Sequence, residues 1–213
     1  MRPLLPRLYV IMDASFVGPA ERAFAEMLAD SGVGLVQYRG KSVRARELLH
    51  SSLRLAEFFC ARGVRFLVND RPDVASLARA DGVHVGQEDL SVEEARAVVG
   101  PGRWVGISTH TLDQFRCAAA TSADYIAVGP AFPTSTKQNP DPVVGLDFIR
   151  QVRALSEKPI VAIGGITLDR AAAVIEAGAD SVAVLGDICA APNPAAQVAR
   201  YLERLAAAPA SSA

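Results

Sequence analysis

The sequence predicts an α/β protein whose repeated strand–helix units close into a single (β/α)8 TIM barrel. Short apolar runs recur at a spacing of roughly 20 to 35 residues, and segments with helical patterning separate most of them. Each run is continuously apolar, as expected for a parallel strand that is buried on both faces. Eight such units close a barrel without leaving a free sheet edge. The predicted strands are Leu8–Met12, Gly34–Tyr38, Phe66–Val68, Gly82–Val85, Trp104–Ile107, Tyr125–Val128, Ile160–Ile163 and Ser181–Leu185.

Helix signals occupy the segments between these runs. Ser91 and Glu94 have the spacing of a capping box, in which each side chain satisfies a backbone N–H of the first turn. Thr167 opens another predicted helix, which the pair Ala177–Gly178 ends. The alternation of strands and helices therefore continues through the length of the chain.

Two segments lack such signals. Residues Gly129–Gly145 are dense in Pro, Thr, Ser and Asn, and a loop of this length inside a compact domain is usually functional. The tail Ala206–Ala213 is rich in Ala and Ser, a composition typical of a disordered terminus. The sequence therefore predicts one domain over residues 1–205 and a disordered tail over residues 206–213.

The composition excludes several classes of protein. Lys plus Arg number 22 and Asp plus Glu number 23, so the net charge of −1 gives no electrostatic case for binding nucleic acid or an anionic membrane. Cys60, Cys117 and Cys189 are too widely spaced for a disulfide framework or a zinc site. No apolar stretch approaches the roughly 18 residues of a membrane span, and the first residues do not form a signal peptide. We therefore expect a cytoplasmic protein, either a monomer or a homo-oligomer.

Polar side chains follow the second predicted strand. In an extended chain, the alternation of Gln37, Arg39 and Lys41 places all three side chains on one side. The loops after the strands form the active face of such a barrel, so two cations and an amide at this point indicate a site for a multiply charged anion. The alternative interpretation is a solvated strand end with ordinary surface charges.

Two carboxylates follow the third and fourth strands. Asp70 and Asp89 have no nearby cysteine or suitably spaced histidine, a combination that favours a hard cation such as Mg²⁺ with phosphate oxygens completing its shell. Either aspartate alone is equally typical of a helix N-cap. His84, on the fourth strand, is by itself typical of a barrel-lining or core histidine.

Hydroxyl groups and glycines follow the later strands. Ser108 can donate a hydrogen bond to an anion. The segment after the sixth strand resembles a phosphate-binding loop, with the polar loop as the competing interpretation; its candidate residues are Thr134, Thr136 and Lys137. Gly165 and Gly186 end the last two strands, where barrels often bind phosphate through backbone N–H groups, although each could also serve a tight turn.

Eight segments of the chain, taken in order, resemble the thiamine phosphate synthase family. They are LYVIMD, QYRGK, VNDRPDVA, DGVHVGQEDL, GISTHT, YIAVGPAFPTSTK, PIVAIGGI and AGADSVAVLGDI, and they span Leu8 to Ile188. Any one segment is weakly specific, whereas the combination is highly specific. One departure occurs: family members commonly carry Ile-Ser or Val-Ser where this chain has Leu185-Gly186, so a serine hydroxyl is missing there.

The resemblance implies a role for each candidate residue. Gln37 and His84 are implied at the aminopyrimidine, and Asp70 and Asp89 at Mg²⁺. The residues implied to hold the diphosphate are Arg39, Lys41, Asn69, Ser108 and Lys137, and of these Arg39, Lys41, Ser108 and Lys137 are the implied catalytic groups. The implied contacts of the thiazole phosphate are Thr134, Thr136, Gly165, Leu185 and Gly186.

The resemblance also implies a reaction. A pyrimidine diphosphate ionises to a carbocation, which the nitrogen of a thiazole phosphate captures, and diphosphate leaves. Alternatives on the same barrel are a thiazole tautomerase, a phosphosugar isomerase and a non-catalytic sensor of phosphorylated ligands. The paired carboxylates beside Lys41 favour the synthase over these alternatives.

Overall fold

The computed structural model of the chain describes residues 5–134 and 141–208. Eight parallel strands form a closed barrel in sequential order, and β8 pairs with β1. This arrangement confirms the predicted (β/α)8 barrel. The strands are β1 Leu8–Asp13, β2 Leu35–Arg39, β3 Arg65–Asn69, β4 Gly82–Val85, β5 Trp104–Thr109, β6 Tyr125–Val128, β7 Ile160–Ile163 and β8 Ser181–Val184.

Five strands end one or two residues away from their predicted ends, whereas β4, β6 and β7 keep their predicted bounds. Four strands continue into the polar residues that follow the apolar run, because backbone pairing in a barrel does not stop where hydrophobicity stops; they are β1, β2, β3 and β5. β8 ends at Val184, one residue early, because Leu185 already caps the next helix. Arg39 therefore lies within β2 rather than after it, and Gln37 lies within the strand as its predicted range already implied.

Helices follow the strands around the outside of the barrel. Those within the described ranges are α1 Ala14–Val17, a 3₁₀ turn Gly18–Ala20, α2 Glu21–Asp30, α3 Ala45–Ala61, α4 Pro72–Leu77, α5 Val92–Val99, α6 Leu112–Ala119, α7 Gly145–Arg153, α8 Leu168–Glu176, α9 Gly186–Cys189 and α10 Pro194–Ala207. The capping box is present, since Ser91 Oγ accepts from the Glu94 N–H at 3.3 Å and Glu94 Oε2 accepts from the Ser91 N–H at 2.9 Å. None of the helices described is long and apolar enough to cross a membrane.

Two apolar clusters lie on the two sides of the barrel wall. The larger cluster packs the outward-facing strand residues against the helices. The smaller one fills the barrel interior, where Leu35, Trp104 and Val161 are buried at or next to the first residue of their strands. The amino-terminal end of the barrel is therefore packed, and polar groups collect at the carboxyl end.

The last helix extends past residue 205, where the sequence predicts the domain to end. Helix α10 continues to Ala207, and Ala208 is buried. Arg7 holds this end, because its guanidinium donates to the carbonyl oxygens of Leu205 and Ala208, each at 2.5 Å. Residues 206–208 of the predicted tail are thus held against the barrel, and residues 209–213 lie outside the described residues.

Candidate active site

Parallel pairing brings the polar strand ends together at the carboxyl end of the barrel. Asp13 on β1 is paired with Arg39 on β2, and Asn69 on β3 is paired with His84 on β4. Because all strands run in one direction, side chains at their carboxyl ends share one opening. We call this opening the mouth of the barrel.

Arg39 is held at the mouth by a buried carboxylate. Its Nη1 forms an ion pair with Asp13 Oδ2, and Asp13 is only 3% exposed. Asp13 Oδ1 also accepts from the backbone N–H of Ser15 at 2.8 Å and from its hydroxyl at 2.5 Å. Burial raises the pKa of Asp13, but the hydrogen bonds from Ser15 and Arg39 outweigh it and lower the pKa overall. Sequence analysis missed Asp13, although its place at a strand end was a usable signal.

Lys41, Asp70 and Asp89 form a charged cluster beside this pair. Lys41 Nζ lies 3.4 Å from Asp70 Oδ2, and Asp70 adopts a left-handed backbone conformation with φ of 61°. Burial raises the pKa of Asp70, Lys41 opposes this rise, and the adjacent carboxylate of Asp89 adds to it. Asp89 is oriented by the N–H of Gly86, which donates to its Oδ2 at 2.7 Å. The structure therefore brings the two predicted metal ligands together.

This cluster fits a divalent cation by its donor chemistry. Two facing carboxylates repel each other, and a cation between them would remove the repulsion. Across residues 5–134 and 141–208 no group of three or more His, Cys, Asp or Glu side chains could hold a metal. A cation bound by Asp70 and Asp89 would thus depend on water or ligand oxygens for the rest of its shell, as Mg²⁺ commonly does.

Two adjoining clefts open at the mouth. One, of about 220 Å³, is lined by Asp13, Ser15, Arg39 and Lys41 among others. The second, of about 210 Å³, is lined by Lys41, Asn69 and Asp70 among others. Gly40 and Lys41 line both clefts, so the clefts adjoin and Arg39, Lys41 and Asn69 border one polar region.

A chain of buried hydrogen bonds crosses the barrel below the mouth. Gln37 Nε2 donates to the Tyr9 hydroxyl at 2.5 Å, and the hydroxyls of Tyr9 and Tyr125 are 3.1 Å apart. His84 Nδ1 lies 2.9 Å from the Tyr125 hydroxyl, and His84 Nε2 lies 2.8 Å from Ser108 Oγ. We call these five residues the interior polar chain. It joins three residues predicted from the sequence to two tyrosines that the sequence analysis missed.

Burial keeps the interior polar chain uncharged. It lowers the pKa of His84 to about 4, so the imidazole is neutral at physiological pH. It also raises the pKa values of Tyr9 and Tyr125, so both phenols keep their protons. His84 is 6% exposed and stacks on the Tyr125 ring with centroids 5.5 Å apart. His84 is therefore a barrel-lining histidine, and it also reaches the predicted anion-binding residue Ser108.

Gly106 provides the space for the Tyr125 ring. A Cβ atom at Gly106 would lie 2.0 Å from Tyr125 Cζ and 2.4 Å from its hydroxyl oxygen. Real Cβ atoms do not approach so closely, so only glycine fits at this position on β5. The GIST segment thus supplies both Ser108 and the gap that the interior polar chain requires.

The loop after β6 packs against the carboxyl end of β7. The Ala131 N–H donates to the Ile163 carbonyl at 2.8 Å, and the Phe132 N–H donates to the Gly164 carbonyl at 3.0 Å. Gly165 has a positive φ of 62°, and a Cβ there would lie 2.3 Å from the Pro133 carbonyl oxygen. Pro133, the residue before half-buried Thr134, therefore lies against Gly165.

The end of β8 leads at once into helix α9. Leu185 is its N-cap residue and Gly186 its first residue, and N–H groups in a first helical turn lack partners within the helix. Asp187 fixes this end, since its Oδ2 accepts from the Tyr201 hydroxyl at 2.6 Å, from Gln197 Nε2 at 2.8 Å and from the Leu168 N–H at 3.2 Å. Sequence analysis did not single out Asp187. Thr136 and Lys137, the other predicted phosphate-binding residues, lie outside the described residues.

Comparisons with known proteins agree on one family. The family model described as thiamine monophosphate synthase matches residues 8–188. A thiamine-phosphate synthase of Koribacter versatilis is 50% identical over 194 residues, which cover 89% of this chain and 92% of that protein. A thiamine-phosphate synthase of Myxococcus xanthus is 43% identical over 204 residues, covering 95% and 94% respectively.

Solved structures agree as well. Thiamine phosphate pyrophosphorylase from Pyrococcus furiosus superposes with a TM-score of 0.83 at 30% identity, covering 94% of this chain and 95% of that one. A 3-hexulose-6-phosphate synthase superposes with a TM-score of 0.66 at 17% identity, covering 93% and 99%. At that identity the second likeness shows only the shared barrel.

Proposed function

Because this chain belongs to the thiamine monophosphate synthase family and is a transferase of that kind, we propose that its mouth joins hydroxymethylpyrimidine diphosphate to thiazole phosphate, or to its carboxylated form. The products are thiamine phosphate and diphosphate. The observation that carries this proposal is the charged region at the mouth, where Arg39 and Lys41 adjoin the facing carboxylates of Asp70 and Asp89. Such a region suits a diphosphate that arrives with a divalent cation.

Enzymes of this family use a metal ion for catalysis, and we propose that the ion here is Mg²⁺. Asp70 and Asp89 would hold it, because their donor set is oxygen only and leaves positions for diphosphate oxygens. When bound, Mg²⁺ would neutralise part of the negative charge on the departing diphosphate.

The proposed roles of the protein residues follow from their chemistry. Arg39 and Lys41 would bind the diphosphate, with Asn69, Ser108 and Lys137 donating further hydrogen bonds. Gln37 and His84 would contact the pyrimidine ring from within the barrel. The thiazole phosphate would lie between the loop after β6 and the ends of β7 and β8, against Thr134, Thr136, Gly165, Leu185 and Gly186.

Charge development decides which of these groups act in the reaction step. As the methylene–oxygen bond of the pyrimidine diphosphate breaks, negative charge grows on the leaving diphosphate and a carbocation remains. Arg39, Lys41, Ser108 and Lys137 are the groups proposed to stabilise that charge. Asp13 restricts Arg39 to one position, so its guanidinium needs little reorganisation when the charge appears. The thiazole nitrogen then captures the cation, and no protein nucleophile takes part.

The alternatives considered for this barrel find less support. A tautomerase or a phosphosugar isomerase transfers protons and has no use for paired carboxylates beside Lys41. The matching relatives named above are thiamine-phosphate synthases. A sensor would bind both ligands without forming product, which the following experiment separates from the synthase.

The test measures both products at once. Purified full-length protein is incubated with the two substrates and Mg²⁺, and diphosphate and thiamine phosphate are quantified by chromatography. We expect equal amounts of both, with formation abolished by EDTA and by Asp89→Ala. Glu88→Ala is the matched control, since it removes an exposed neighbouring carboxylate and should retain activity.

The outcomes separate the hypotheses. Binding of both substrates without product would favour the sensor. Diphosphate without thiamine phosphate would indicate that ionisation works and capture fails, which would place the defect at Leu185-Gly186. Product formation that survives both EDTA and Asp89→Ala would contradict the proposed metal site.

A further inference from the structure

We propose that Tyr125 is a positioning residue that fixes the tautomer of His84 and thereby directs the hydroxyl proton of Ser108 toward the mouth. Tyr9 sets the donor-to-acceptor direction of the interior polar chain, because it donates its hydroxyl proton to Tyr125. The part of this proposal that concerns the substrate rests on the proposed function, whereas the part that concerns the tautomer does not.

The direction of the hydrogen bonds follows from the donors available. The Nε2 group of Gln37 can only donate, so the Tyr9 oxygen accepts from it. Tyr9 has one proton left to place, and among the described residues the hydroxyl oxygen of Tyr125, 3.1 Å away, is the group that can accept it. If Tyr125 donated to Tyr9 instead, the Tyr9 proton would be buried without that acceptor, at a substantial free-energy cost. Tyr9 therefore donates and Tyr125 accepts.

The same reasoning sets the histidine. The Tyr125 proton goes to His84 Nδ1, which must then be the unprotonated nitrogen. A neutral imidazole carries one proton, so it resides on Nε2 and is donated to Ser108 Oγ. A protonated imidazole would donate from both nitrogens and would leave the buried Tyr125 proton without this acceptor. Every proton of the chain up to Ser108 is thus assigned.

Ser108 is left with one proton and a defined direction for it. Its oxygen accepts from His84, so its own O–H must point elsewhere. Ser108 lies two residues nearer the carboxyl end of β5 than Gly106, which is paired with His84, so it stands above His84 toward the mouth. Its backbone is also held, since Gln87 Nε2 donates to the Ser108 carbonyl at 2.6 Å. A hydroxyl that is already oriented stabilises a developing anion more than one that must first rotate.

The first test reads the tautomer without substrate or metal. Long-range ¹H–¹⁵N spectra of the full-length protein, with His84 assigned by comparison with His84→Gln, distinguish a protonated from an unprotonated ring nitrogen. We expect Nε2 protonated and Nδ1 unprotonated in the native protein. In Tyr125→Phe we expect a substantial Nδ1–H population, because Nδ1 has lost its donor.

Controls keep this test falsifiable. Tyr38→Phe removes another buried tyrosine hydroxyl, one that donates to Glu21 outside the barrel interior, and it should leave the His84 signals unchanged. Tyr9→Phe leaves Tyr125 in place, so we expect an Nδ1–H population that is larger than in the native protein but smaller than in Tyr125→Phe. This second variant keeps the proposal testable if Tyr125→Phe does not fold. A protonated Nδ1 in the native protein, or an unchanged tautomer in both variants, would overturn the proposal.

The second test asks whether Tyr125 acts through Ser108. We expect Ser108→Ala and Tyr125→Phe each to lower kcat for diphosphate release by about tenfold. The double variant should be no slower than Ser108→Ala alone, because the two residues serve one hydrogen bond. A multiplicative loss of about a hundredfold would show that Tyr125 acts independently of Ser108. Absence of any activity in the native protein would count against the proposed function and leave the tautomer assignment standing.

Discussion

Arg39 and Asp13 form an ion pair across β2 and β1, with the carboxylate buried and the guanidinium partly exposed at the mouth. The pairing fixes a cation where a diphosphate is proposed to bind, and it leaves the outer face of the guanidinium available to that ligand. Asp13 is in turn fixed by Ser15. Asp13 thus determines where the guanidinium proposed to bind the diphosphate lies.

Asp13→Asn should therefore impair both folding and catalysis. We expect a loss of about 2 kcal/mol in the free energy of unfolding, because a partly buried guanidinium loses its counter-charge. We also expect kcat/KM for the pyrimidine diphosphate to fall about tenfold, since Arg39 is no longer restricted. Asp30→Asn, which breaks the exposed pair with Arg62, is the control and should change stability by less than about 0.5 kcal/mol. Equal effects of the two substitutions would contradict the role given to Asp13.

His84 should make the protein less stable in mild acid. Its pKa falls from 6.5 in the unfolded chain to about 4 in the fold, so between these values the unfolded chain binds a proton that the folded chain does not. Stability therefore decreases as the pH falls through this window. Between pH 7 and pH 5 we expect the native protein to lose about 2 kcal/mol more than His84→Gln, measured by urea unfolding. His50→Gln, at an exposed histidine, should keep the native slope.

Gly106→Ala should disrupt the interior polar chain by sterics alone. The added methyl would lie 2.0 Å from the Tyr125 ring, and we expect a loss of at least about 2 kcal/mol in the free energy of unfolding. Adding Tyr125→Leu to Gly106→Ala should recover part of this loss, because leucine is smaller than tyrosine and leaves room for the methyl group. Strictly additive effects of the two substitutions would show that the methyl group clashes with something else.

Gly186→Ser should strengthen binding of the thiazole phosphate. It restores the hydroxyl that the family commonly carries at this position, and a hydrogen bond to a charged group could lower KM for that substrate by about tenfold with little change in kcat. Ala190→Ser, at the other end of α9, should leave KM unchanged. An increase in KM for Gly186→Ser would instead indicate that the site uses the close approach that glycine permits.

The sequence predicted the barrel and the position of each strand to within one or two residues because both depend on local patterns. Continuous apolar runs mark strands buried on two faces, and polar residues directly after them mark the mouth. Gln37, Asp70 and Ser108 were found in this way. Their proposed roles remain predictions, since proximity at the mouth does not by itself show what they bind.

The residues that sequence reasoning missed depend on contacts between distant parts of the chain. Tyr9 and Tyr125 lie inside apolar runs, where an aromatic residue is typical of ordinary core, and only the closed barrel brings their hydroxyls within 3.1 Å of each other. In the sequence, Asp187 resembles any acidic residue in a first helical turn. Only the structure shows that Tyr201 donates a hydrogen bond to it. No local sequence pattern predicts hydrogen-bond partners that are distant along the chain.

The packed amino-terminal end of the barrel has a consequence for turnover. Leu35, Trp104 and Val161 fill that end, so ligands of the proposed site would enter and leave through the mouth. A product still inside then obstructs the next substrate on the same route. Diphosphate and thiamine phosphate would then leave by the route on which the next substrates arrive, and accumulated product should slow the reaction by occupying the mouth.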